Sequence, residues 1–317
     1  MKLSEIRELM KSMPVALDPR DPSQIGEYAK ILGLEPGMLY QELEMESRYV
    51  DTHRDISYSN NMVWLHSHSF YELICCRNDC GAEYLVGADR YRLRAGDIII
   101  ISPGVSHRPL LPEHMTEPYI RDVIWISTEF AAAFPEMLEK KEARRITNSL
   151  LRTAGTKWEY LQNMIHRGVE EAEGKAPGWE MAVVGNTMVV IAQLIRALSD
   201  SNAVAMRREK PELLDQVMAY IEEHYSRRIT LQEAAAHFYV STSTISQLFR
   251  QKMGVSFYRC VTQRRLIAAK NLMVSGVPLE RVNEQVGFTD YSTFYRAFRQ
   301  EVGISPRQFR KLQETAD

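Results

Sequence analysis

Cysteine is scarce in this 317-residue chain, and no two cysteines have the CxxC spacing. The four residues are Cys75, Cys76, Cys80 and Cys260. This pattern excludes a disulfide framework and a CxxC metal or redox site. Adjacent Cys75 and Cys76 would point to opposite faces of a strand. We therefore expect all four cysteines to be reduced packing residues in a reducing compartment.

Long uninterrupted apolar runs are also missing. The longest apolar stretch, residues 181–198, contains Asn186, Gln193 and Arg196 and has the periodicity of a helix, which is not the pattern of a membrane span. Residues 1–12 alternate charged with apolar side chains and lack the apolar segment of a secretory signal peptide. We expect a cytoplasmic protein without a membrane partner.

The overall composition, 45% hydrophobic and 25% charged residues, is that of a globular protein long enough for two domains. The formal net charge of −2 hides an uneven distribution. Residues 1–200 contain 22 Lys and Arg against 29 Asp and Glu, whereas residues 201–317 contain 17 against 12. The basic last third is therefore the part that we expect to meet a polyanion.

Four segments differ in the type of pattern they carry. Strand and turn signals, including a hairpin through Gly87 and Asp89, give way to two long amphipathic helices within residues 156–199. A polar stretch that ends near Pro211 has the composition of a linker. The predicted segments are a helical N-terminal extension (1–50), a strand-rich domain closed by helices (51–200), a linker (201–212) and a helical domain (213–317).

A short sequence occurs twice in the last segment, 49 residues apart. AHFYVSTSTISQLFRQKMGVS (236–256) and QVGFTDYSTFYRAFRQEVGIS (285–305) share Ser, Thr, Phe, Arg, Gln, Gly and Ser at equivalent positions. Each copy has the pattern of a helix-turn-helix unit: a short helix, a tight turn, an N-cap (Ser241 or Asp290), a second helix and a terminating glycine. In the second copy, Gly287 suits the positive φ of a sharp reversal.

Apolar spacing assigns the faces of the two second helices. Ile245, Leu248 and Phe249 face the core in the first, as Phe294, Ala297 and Phe298 do in the second. The outward residues are small, polar or basic, which suits a helix in a DNA major groove, where Arg reads guanine and Gln reads adenine. Together with the two N-caps, the candidate DNA-binding residues are Ser241, Ser243, Ser246, Gln247, Arg250, Asp290, Ser292, Tyr295, Arg296 and Arg299.

The segment between the copies, residues 257–275, has continuous helical character and would be about 28 Å long. Major grooves on one side of B-DNA recur about every 34 Å. One connecting helix could therefore hold two recognition helices in successive turns of a duplex. Arg264, Arg265 and Lys270 lie on this connector, where DNA phosphates are plausible targets for some of them.

Residues 213–312 resemble the DNA-binding domain of AraC/XylS-type transcription regulators, in TLQEAAAHFYVSTSTISQLFRQKMGVSF and in VGFTDYSTFYRAFRQEVGISPRQFR. The resemblance implies seven helices, with the two second helices contacting bases. It places Ser243, Gln247, Ser292 and Arg296 at the main groove-facing positions. Asn283 departs from the family, which usually has a small apolar residue there in the supporting helix of the second unit.

The front domain contains HSHSFYEL, in which His66, His68, Phe70 and Glu72 would share one face of a strand. GDIIIISPGVSH then brings His107 after a glycine-bounded strand. The two segments resemble the two cupin motifs and the sensor domain that AraC-type proteins commonly place before their DNA-binding half. The implied fold is α+β: a cupin-like antiparallel β-barrel with flanking helices over 51–200, then an all-α domain of two helix-turn-helix units joined by a long helix.

Two roles remain open for this cluster. Three imidazoles and a carboxylate suit Zn²⁺, Fe²⁺, Mn²⁺ or Ni²⁺ as a first shell. The resemblance instead favours an organic effector, such as a sugar, held by hydrogen bonds and aromatic stacking, with no resident cofactor. His66, His68, Glu72 and His107 are thus candidate effector-pocket residues and candidate metal ligands. Further pocket candidates, each of which could equally be a core or surface residue, are Trp64, Tyr71, Tyr84, Tyr91 and Arg108.

A regulator that contacts two operator half-sites normally dimerises. The helices within 156–199 carry an apolar stripe of Met181, Val184, Met188, Ile191, Ile195 and Leu198. This stripe would form a homodimer interface, although packing against the barrel would use the same residues.

Three classes of function compete. The first is a sequence-specific transcription regulator controlled by a small molecule, with no enzymatic activity. The others are a metal-dependent cupin enzyme fused to a DNA-binding module and an effector-independent regulator. We favour the first class, whose candidate partners are double-stranded DNA, a small-molecule effector, a second copy of the chain and RNA polymerase.

Overall fold

The computed structural model of the protein describes residues 45–58, 65–112, 114–133, 149–199, 211–302 and 304–314. The predicted N-terminal extension (1–50) lies outside these residues as far as residue 44, and so do Trp64 and linker residues 201–210. From Met45 to Tyr49 the chain is irregular, and a strand begins at Val50. The helix prediction is therefore wrong for residues 45–50, and β-branched and polar residues alternate from Val50 onward.

Two antiparallel sheets form the front half of the described chain. The strands are β1 (Val50–Ser57), β2 (Tyr71–Cys76), β3 (Glu83–Val86), β4 (Asp89–Arg92), β5 (Asp97–Ile101), β6 (His107–Leu110), β7 (Tyr119–Ile126) and β8 (Ser149–Arg152). A five-stranded sheet has the order β1-β7-β2-β5-β8, and a three-stranded sheet has the order β4-β3-β6. The predicted hairpin is present as β3 and β4, which turn through Gly87 at φ 58°.

Strand alternation gives the five-stranded sheet two different faces. Its inner face packs against the three-stranded sheet through a cluster that includes Ile74, Ile99 and Tyr84. Its outer face packs against helices through a separate cluster that includes Leu73 and Ile98. Cys75 belongs to the outer cluster and Cys76 to the inner one, which confirms that the two thiols point to opposite faces.

The helices on the outer face are α2 (Tyr160–Gly174) and α3 (Trp179–Ser199), after a short α1 (Thr128–Ala132). They turn back on each other between Lys175, at φ 47°, and Gly178, at φ 84°. A buried ion pair ties α2 to the sheet, because Asp122 accepts from Nε of Arg54 at 2.8 Å and lies 3.1 Å from Nδ1 of His166. The two long helices predicted within 156–199 are therefore present.

Helix α3 is long and apolar enough to cross a membrane by length and composition. One side of it nevertheless packs on α2 and the sheet through Val183, Val190 and Leu194, each at most 2% exposed. This buried side explains the apolar character of α3 as that of a packing helix.

Seven helices follow among the described residues from 211 to 314. They are α4 (Leu213–His224), α5 (Leu231–His237), α6 (Thr242–Leu248), α7 (Phe257–Val274), α8 (Leu279–Gln285), α9 (Tyr291–Val302) and α10 (Pro306–Glu314), with α6 continuing as a π-helical turn over Phe249–Met253. Helices α4 to α6 share one core cluster, and helices α8 to α10 share another. Helix α7 contributes residues to both clusters, so the connecting helix is part of the core of each unit.

Candidate functional site

Helix α6 has the polar outer face that the sequence predicts. Ser241 caps it, with Oγ accepting from the Thr244 backbone N–H at 3.0 Å. Ile245 and Phe249 are fully buried, while Leu248 is half-buried. Outward positions Ser243, Gln247 and Arg250 are exposed, and Ser246 is half-buried. Ser241 therefore fixes the helix start rather than offering a free hydroxyl.

Helix α9 repeats this arrangement with a stronger cap. Asp290 accepts from the Thr293 backbone N–H at 2.8 Å and from its hydroxyl at 2.9 Å, and these bonds lower the pKa of the Asp290 carboxyl. Phe294 and Phe298 are fully buried, and Ala297 is half-buried. Outward positions Ser292, Arg296 and Arg299 are exposed, while Tyr295 is half-buried.

Helix α7 holds the two units apart, with 18 residues against the 19 predicted. Two of its arginines are engaged with the protein itself. Arg264 donates to Glu222 at 2.6 Å, and its guanidinium lies 4.2 Å from the centre of the Tyr225 ring. Arg265 donates to the carbonyl oxygens of Tyr225 and Arg227, both at 2.8 Å. The expectation that these arginines contact phosphates is therefore not supported by their positions.

In the front half, His66, His68 and His107 converge between the two sheets. One ring nitrogen from each lies within 4.8 Å of the others. The reason for this convergence differs from the prediction. His66 forms a two-way backbone bridge with His107, residues 67–70 are not a strand, and β2 starts only at Tyr71. The cluster is therefore assembled by a loop that returns to β6 and not by one strand face.

Backbone carbonyls orient two of these rings. Nδ1 of His68 lies 2.9 Å from the carbonyl oxygen of Phe70, and Nδ1 of His107 lies 2.8 Å from that of Val105. A carbonyl oxygen only accepts, so both Nδ1 atoms carry a proton. The Nε2 atoms point inward, 3.3 Å (His68) and 3.1 Å (His107) from Oε2 of Glu72.

Glu72 is the centre of the cluster and is 5% exposed. Its second oxygen, Oε1, accepts from Nε1 of Trp125 at 3.0 Å. Although burial alone raises the pKa of the Glu72 carboxyl, His107 and His68 hold it well below its usual range. Burial lowers the pKa of His68, which favours its neutral ring. The ionised carboxylate thus lies within 3.3 Å of the Nε2 atoms of both rings.

This donor set fits a divalent metal ion. Neutral imidazole nitrogens and a carboxylate are common ligands of Zn²⁺ and Fe²⁺, and metal-binding histidines usually donate their other N–H to a carbonyl or carboxylate. Nε2 of His107 is buried and has no hydrogen bond among the described residues, despite its short distance from Glu72. A cation between Nε2 of His107 and the Glu72 carboxylate would give both groups a partner.

The sequence interpretation missed a polar group on the inner face next to this cluster. Arg121 donates to Oδ2 of Asp55 and to Oγ of Ser57, both at 2.9 Å. Burial raises the pKa of the Asp55 carboxyl, but Arg121 lowers it below its usual range. The hydroxyl of Tyr119 and Nε2 of His53 are buried without a hydrogen bond among the described residues.

The other pocket candidates lie in different places. Tyr84 and Tyr91 pack between the sheets, whereas half-buried Tyr71 packs on the outer face towards the helices. Arg108 is 1% exposed and points towards the helical half. Trp64 lies outside the described residues.

The apolar stripe predicted for dimerisation is only partly available on α3. Met181 and Met188 are exposed, at 81% and 42%, whereas Ile191 is buried at 8%. Val184, Ile195 and Leu198 are half-buried. The face that packs on the sheet is rotated from the stripe, which leaves its methionines at the surface.

Comparison with known proteins gives the following similarities. A family model described as a helix-turn-helix domain matches residues 234–312. The HTH-type transcriptional activator RhaS of Salmonella arizonae is 24% identical over 255 residues, which cover 78% of this chain and 87% of that protein. The C-terminal domain of AraT, a response regulator from Geobacillus stearothermophilus, is 30% identical with a TM-score of 0.32, over 33% of this chain and 88% of that domain. ToxT from Vibrio cholerae O395 is 13% identical with a TM-score of 0.35, over 84% of this chain and 99% of that structure.

A β-rich front half followed by two capped helices with exposed polar and basic faces, in a segment matched as a helix-turn-helix domain, defines a DNA-binding transcription regulator. The similarity to a transcriptional activator extends over 78% of this chain, well beyond the residues matched by the helix-turn-helix model. The helix-turn-helix match and the similarity to RhaS support a transcription regulator of the AraC/XylS type.

Proposed function

We propose that this chain is a ligand-responsive transcriptional activator whose helices α6 and α9 enter successive major grooves of one operator. The observation that carries the proposal is the pair of capped helices with exposed outer faces on either side of the 18-residue α7. Helix α7 is about 27 Å long, which approaches the repeat of the major groove. Selection of bound duplexes from a random pool, followed by affinity measurements, tests it. Equal affinity for selected and random DNA would refute it.

We expect two arginines of α9 to have different effects on DNA binding. Arg296→Ala should cost about 1–3 kcal/mol of discrimination between operator and random DNA, because Arg296 occupies a base-contacting position. Arg299→Ala should weaken binding to all sequences similarly and reduce the salt slope by about one, because Arg299 is placed for a phosphate. Fluorescence anisotropy at several salt concentrations measures both quantities. Identical behaviour of the two variants would contradict these assignments.

The input site of the regulator is proposed between the sheets, in a cupin-like barrel. Support comes from the His66, His68, Glu72 and His107 cluster and from the Tyr119 hydroxyl on the inner face, which is buried without a hydrogen bond among the described residues. A hydroxyl-rich molecule such as a sugar would give these buried polar atoms partners. A thermal-shift screen with sugars and metabolites tests this, since a ligand of the folded state raises Tm by mass action. A regulator that needs no effector would show no shift.

The same cluster favours a divalent metal ion as a second candidate ligand. His66, His68, Glu72 and His107 would hold it, and it would supply a fixed positive charge that an anionic or hydroxyl-bearing effector can bind. The carbonyls of Phe70 and Val105 and the indole of Trp125 orient these ligands. Elemental analysis of purified protein tests for a resident metal and also addresses the alternative of a metal-dependent cupin enzyme.

We expect a graded loss of metal affinity from two substitutions at this site. Loss of an outer partner typically costs about 10–100-fold, so Trp125→Phe should weaken Co²⁺ binding by that amount and Glu72→Gln by about 100-fold or more. His53→Gln is the matched control, because His53 packs edge-to-face against Trp125 without lying in the cluster. Calorimetric titration of chelator-treated protein with Co²⁺ measures the affinities. Equal binding by wild type and Glu72→Gln would rule out this metal site.

The protein is further proposed to act as a homodimer through the exposed part of α3. Met181 and Met188 stand at the surface of a helix whose other side is already packed. Exposed apolar side chains grouped in this way are typical of an interface. Sedimentation of the purified chain at several concentrations tests the proposal, and a monomer throughout would contradict it. RNA polymerase is a further proposed partner, by analogy with the activator that the chain resembles.

A further inference from the structure

At the start of β6, successive side chains point alternately to the histidine cluster and to the helical half. His107 points inward, to the cluster with Glu72, whereas Ser106 and Arg108 contact the helical half. Neighbouring residues of a strand point to opposite faces and lie about 3.3 Å apart along the chain. The two residues that flank His107 therefore connect the candidate input site to the helices.

Arg108 provides the deepest of these contacts. Arg108 is 1% exposed, and its Nη1 donates to the carbonyl oxygen of Met253 at 2.7 Å. Met253 ends the π-helical turn that follows the first recognition helix, α6. Burial lowers the pKa of Arg108 to about 10, so the guanidinium stays charged at neutral pH. A buried cation that loses its partner is costly, so this contact resists small displacements.

Ser106 provides the second contact, and it leads to the connector helix. Its hydroxyl donates to Oε1 of Glu222 on α4 at 2.7 Å. Oε2 of the same carboxylate accepts from Nε of Arg264 on α7 at 2.6 Å. The β5–β6 turn touches α7 a second time, where Nδ2 of Asn271 donates to the carbonyl oxygen of Gly104 at 3.2 Å. The strand end is therefore bonded to both helices that frame the first unit.

The surface around these bonds is packed and ion-paired. Leu85 and Leu110, on the back of the three-stranded sheet, belong to the same buried cluster as Val217 and Met253 of the helical half. Arg90 on β4 donates to Asp215 of α4 at 2.8 Å and pairs with Glu83 and Glu212. Close-packed contacts of this kind transmit displacement and do not absorb it.

We propose that β6 transmits the state of the His66, His68, Glu72 and His107 cluster to the DNA-binding half, through Ser106 to Glu222 and Arg264 and through Arg108 to Met253. The inference rests on the proposed input at that cluster. A ligand that pulls the His107 ring towards Glu72 acts on a residue whose backbone is bridged to His66 and whose neighbours hold α4 and the end of α6.

The contact between the two halves leaves the outer faces of the recognition helices exposed, and this determines how a change at the cluster can affect DNA binding. Ser243, Gln247 and Arg296 are exposed although the two halves are in contact. Contact with the sheet therefore does not cover the base-contacting faces. It fixes the first unit and α7 relative to the front half, so a change at the cluster alters the placement of the recognition helices and not their accessibility.

Hydrogen–deuterium exchange of the full-length chain tests this proposal, with His107→Gln as the perturbation and His53→Gln as the matched control. Both histidines are buried, but His53 lies on β1, which is not in the three-stranded sheet. His107→Gln is expected to speed exchange in residues 213–224 and 249–256 by about fivefold or more, the usual lower range of coupling between sites. His53→Gln should leave these segments unchanged. The proposal fails if His107→Gln has no effect there or if both variants have the same effect.

A second variant perturbs the helical half instead of the cluster, so that the test does not depend on the folding of His107→Gln. Glu222→Gln weakens the link to Ser106 and Arg264 while leaving the histidines intact. Because coupling is reciprocal, it should change exchange in residues 65–72 and 104–110 by a similar factor, and no change there would overturn the proposal. Affinity for selected against random DNA, measured on the same proteins, separates the two hypotheses. Coupled exchange without specific DNA binding refutes the regulator, whereas specific binding without coupled exchange refutes the role of β6.

Discussion

Phe298→Ala is expected to lower the free energy of unfolding of the second helix-turn-helix unit by about 3–5 kcal/mol. The side chain is fully buried, and its ring lies 5.6 Å from the rings of Phe294 and Phe309. Truncation would remove the aromatic centre of the cluster formed by α7 to α10 and leave a cavity. Urea denaturation followed by circular dichroism at 222 nm, where helices dominate, measures the loss.

Arg299→Ala is the control for this prediction, because Arg299 is the next residue on α9 and is exposed. Its stability should change by no more than about 0.5 kcal/mol. The two units have separate core clusters, so Phe298→Ala should also remove protection of one groove while leaving the other. A stable Phe298→Ala variant with an unchanged footprint would contradict the assignment of α9.

Gly287→Ala is expected to cost about 3 kcal/mol, from strain at a positive φ and from collision with the backbone. Gly287 has φ 79°, and an added Cβ would lie 2.5 Å from the carbonyl oxygen of Tyr225 and 2.7 Å from the carbonyl carbon of Ser226. Neither atom can move without shifting the end of α4. The turn of the second unit is thus packed directly against the first.

Gly276→Ala separates the two contributions. Gly276 has φ 82°, but an added Cβ would meet nothing within 4 Å. This variant should therefore lose only the strain, about 1 kcal/mol. Thermal denaturation of both variants under one set of conditions gives the comparison. If Gly276→Ala were as destabilising as Gly287→Ala, the close approach to Tyr225 would not hold in solution.

The sequence predicted the helical half well, because its signals are local. Ser241 and Asp290 cap the helices they were expected to start, and Gly287 has the positive φ expected of it. Phe249 and Phe298 are both fully buried. Caps, turns and helix faces depend on residues within four positions of each other. Because the sequence is repeated, each of these signals occurs in both copies.

The proposed input site could be predicted only in part from the sequence. The convergence of His66 and His107 depends on a backbone bridge between residues far apart in sequence, so spacing by two along one strand named the right residues for the wrong reason. His53, Asp55 and Ser57 also alternate along β1, and that period of two was the available signal for the inner-face polar group. The strand that faces these three side chains is set by the tertiary fold and cannot be read from their spacing.

Contacts between the halves could not be predicted. Arg264 was expected near phosphates because it lies on a basic helix, but Glu222 and Tyr225 engage it. Arg108 was a pocket candidate, but it points to the other side of the sheet. In both cases the local sequence determines which helix or strand carries the arginine. The group that the arginine contacts depends on how the neighbouring domain packs against that element.

Footprinting of the full-length protein on a selected duplex tests the central claim most directly. Two helices held by α7 should protect two adjacent major grooves on one face of the DNA, centred about 10 base pairs apart per subunit. Protection of a single groove, or of grooves on opposite faces, would contradict the proposed mode of DNA binding.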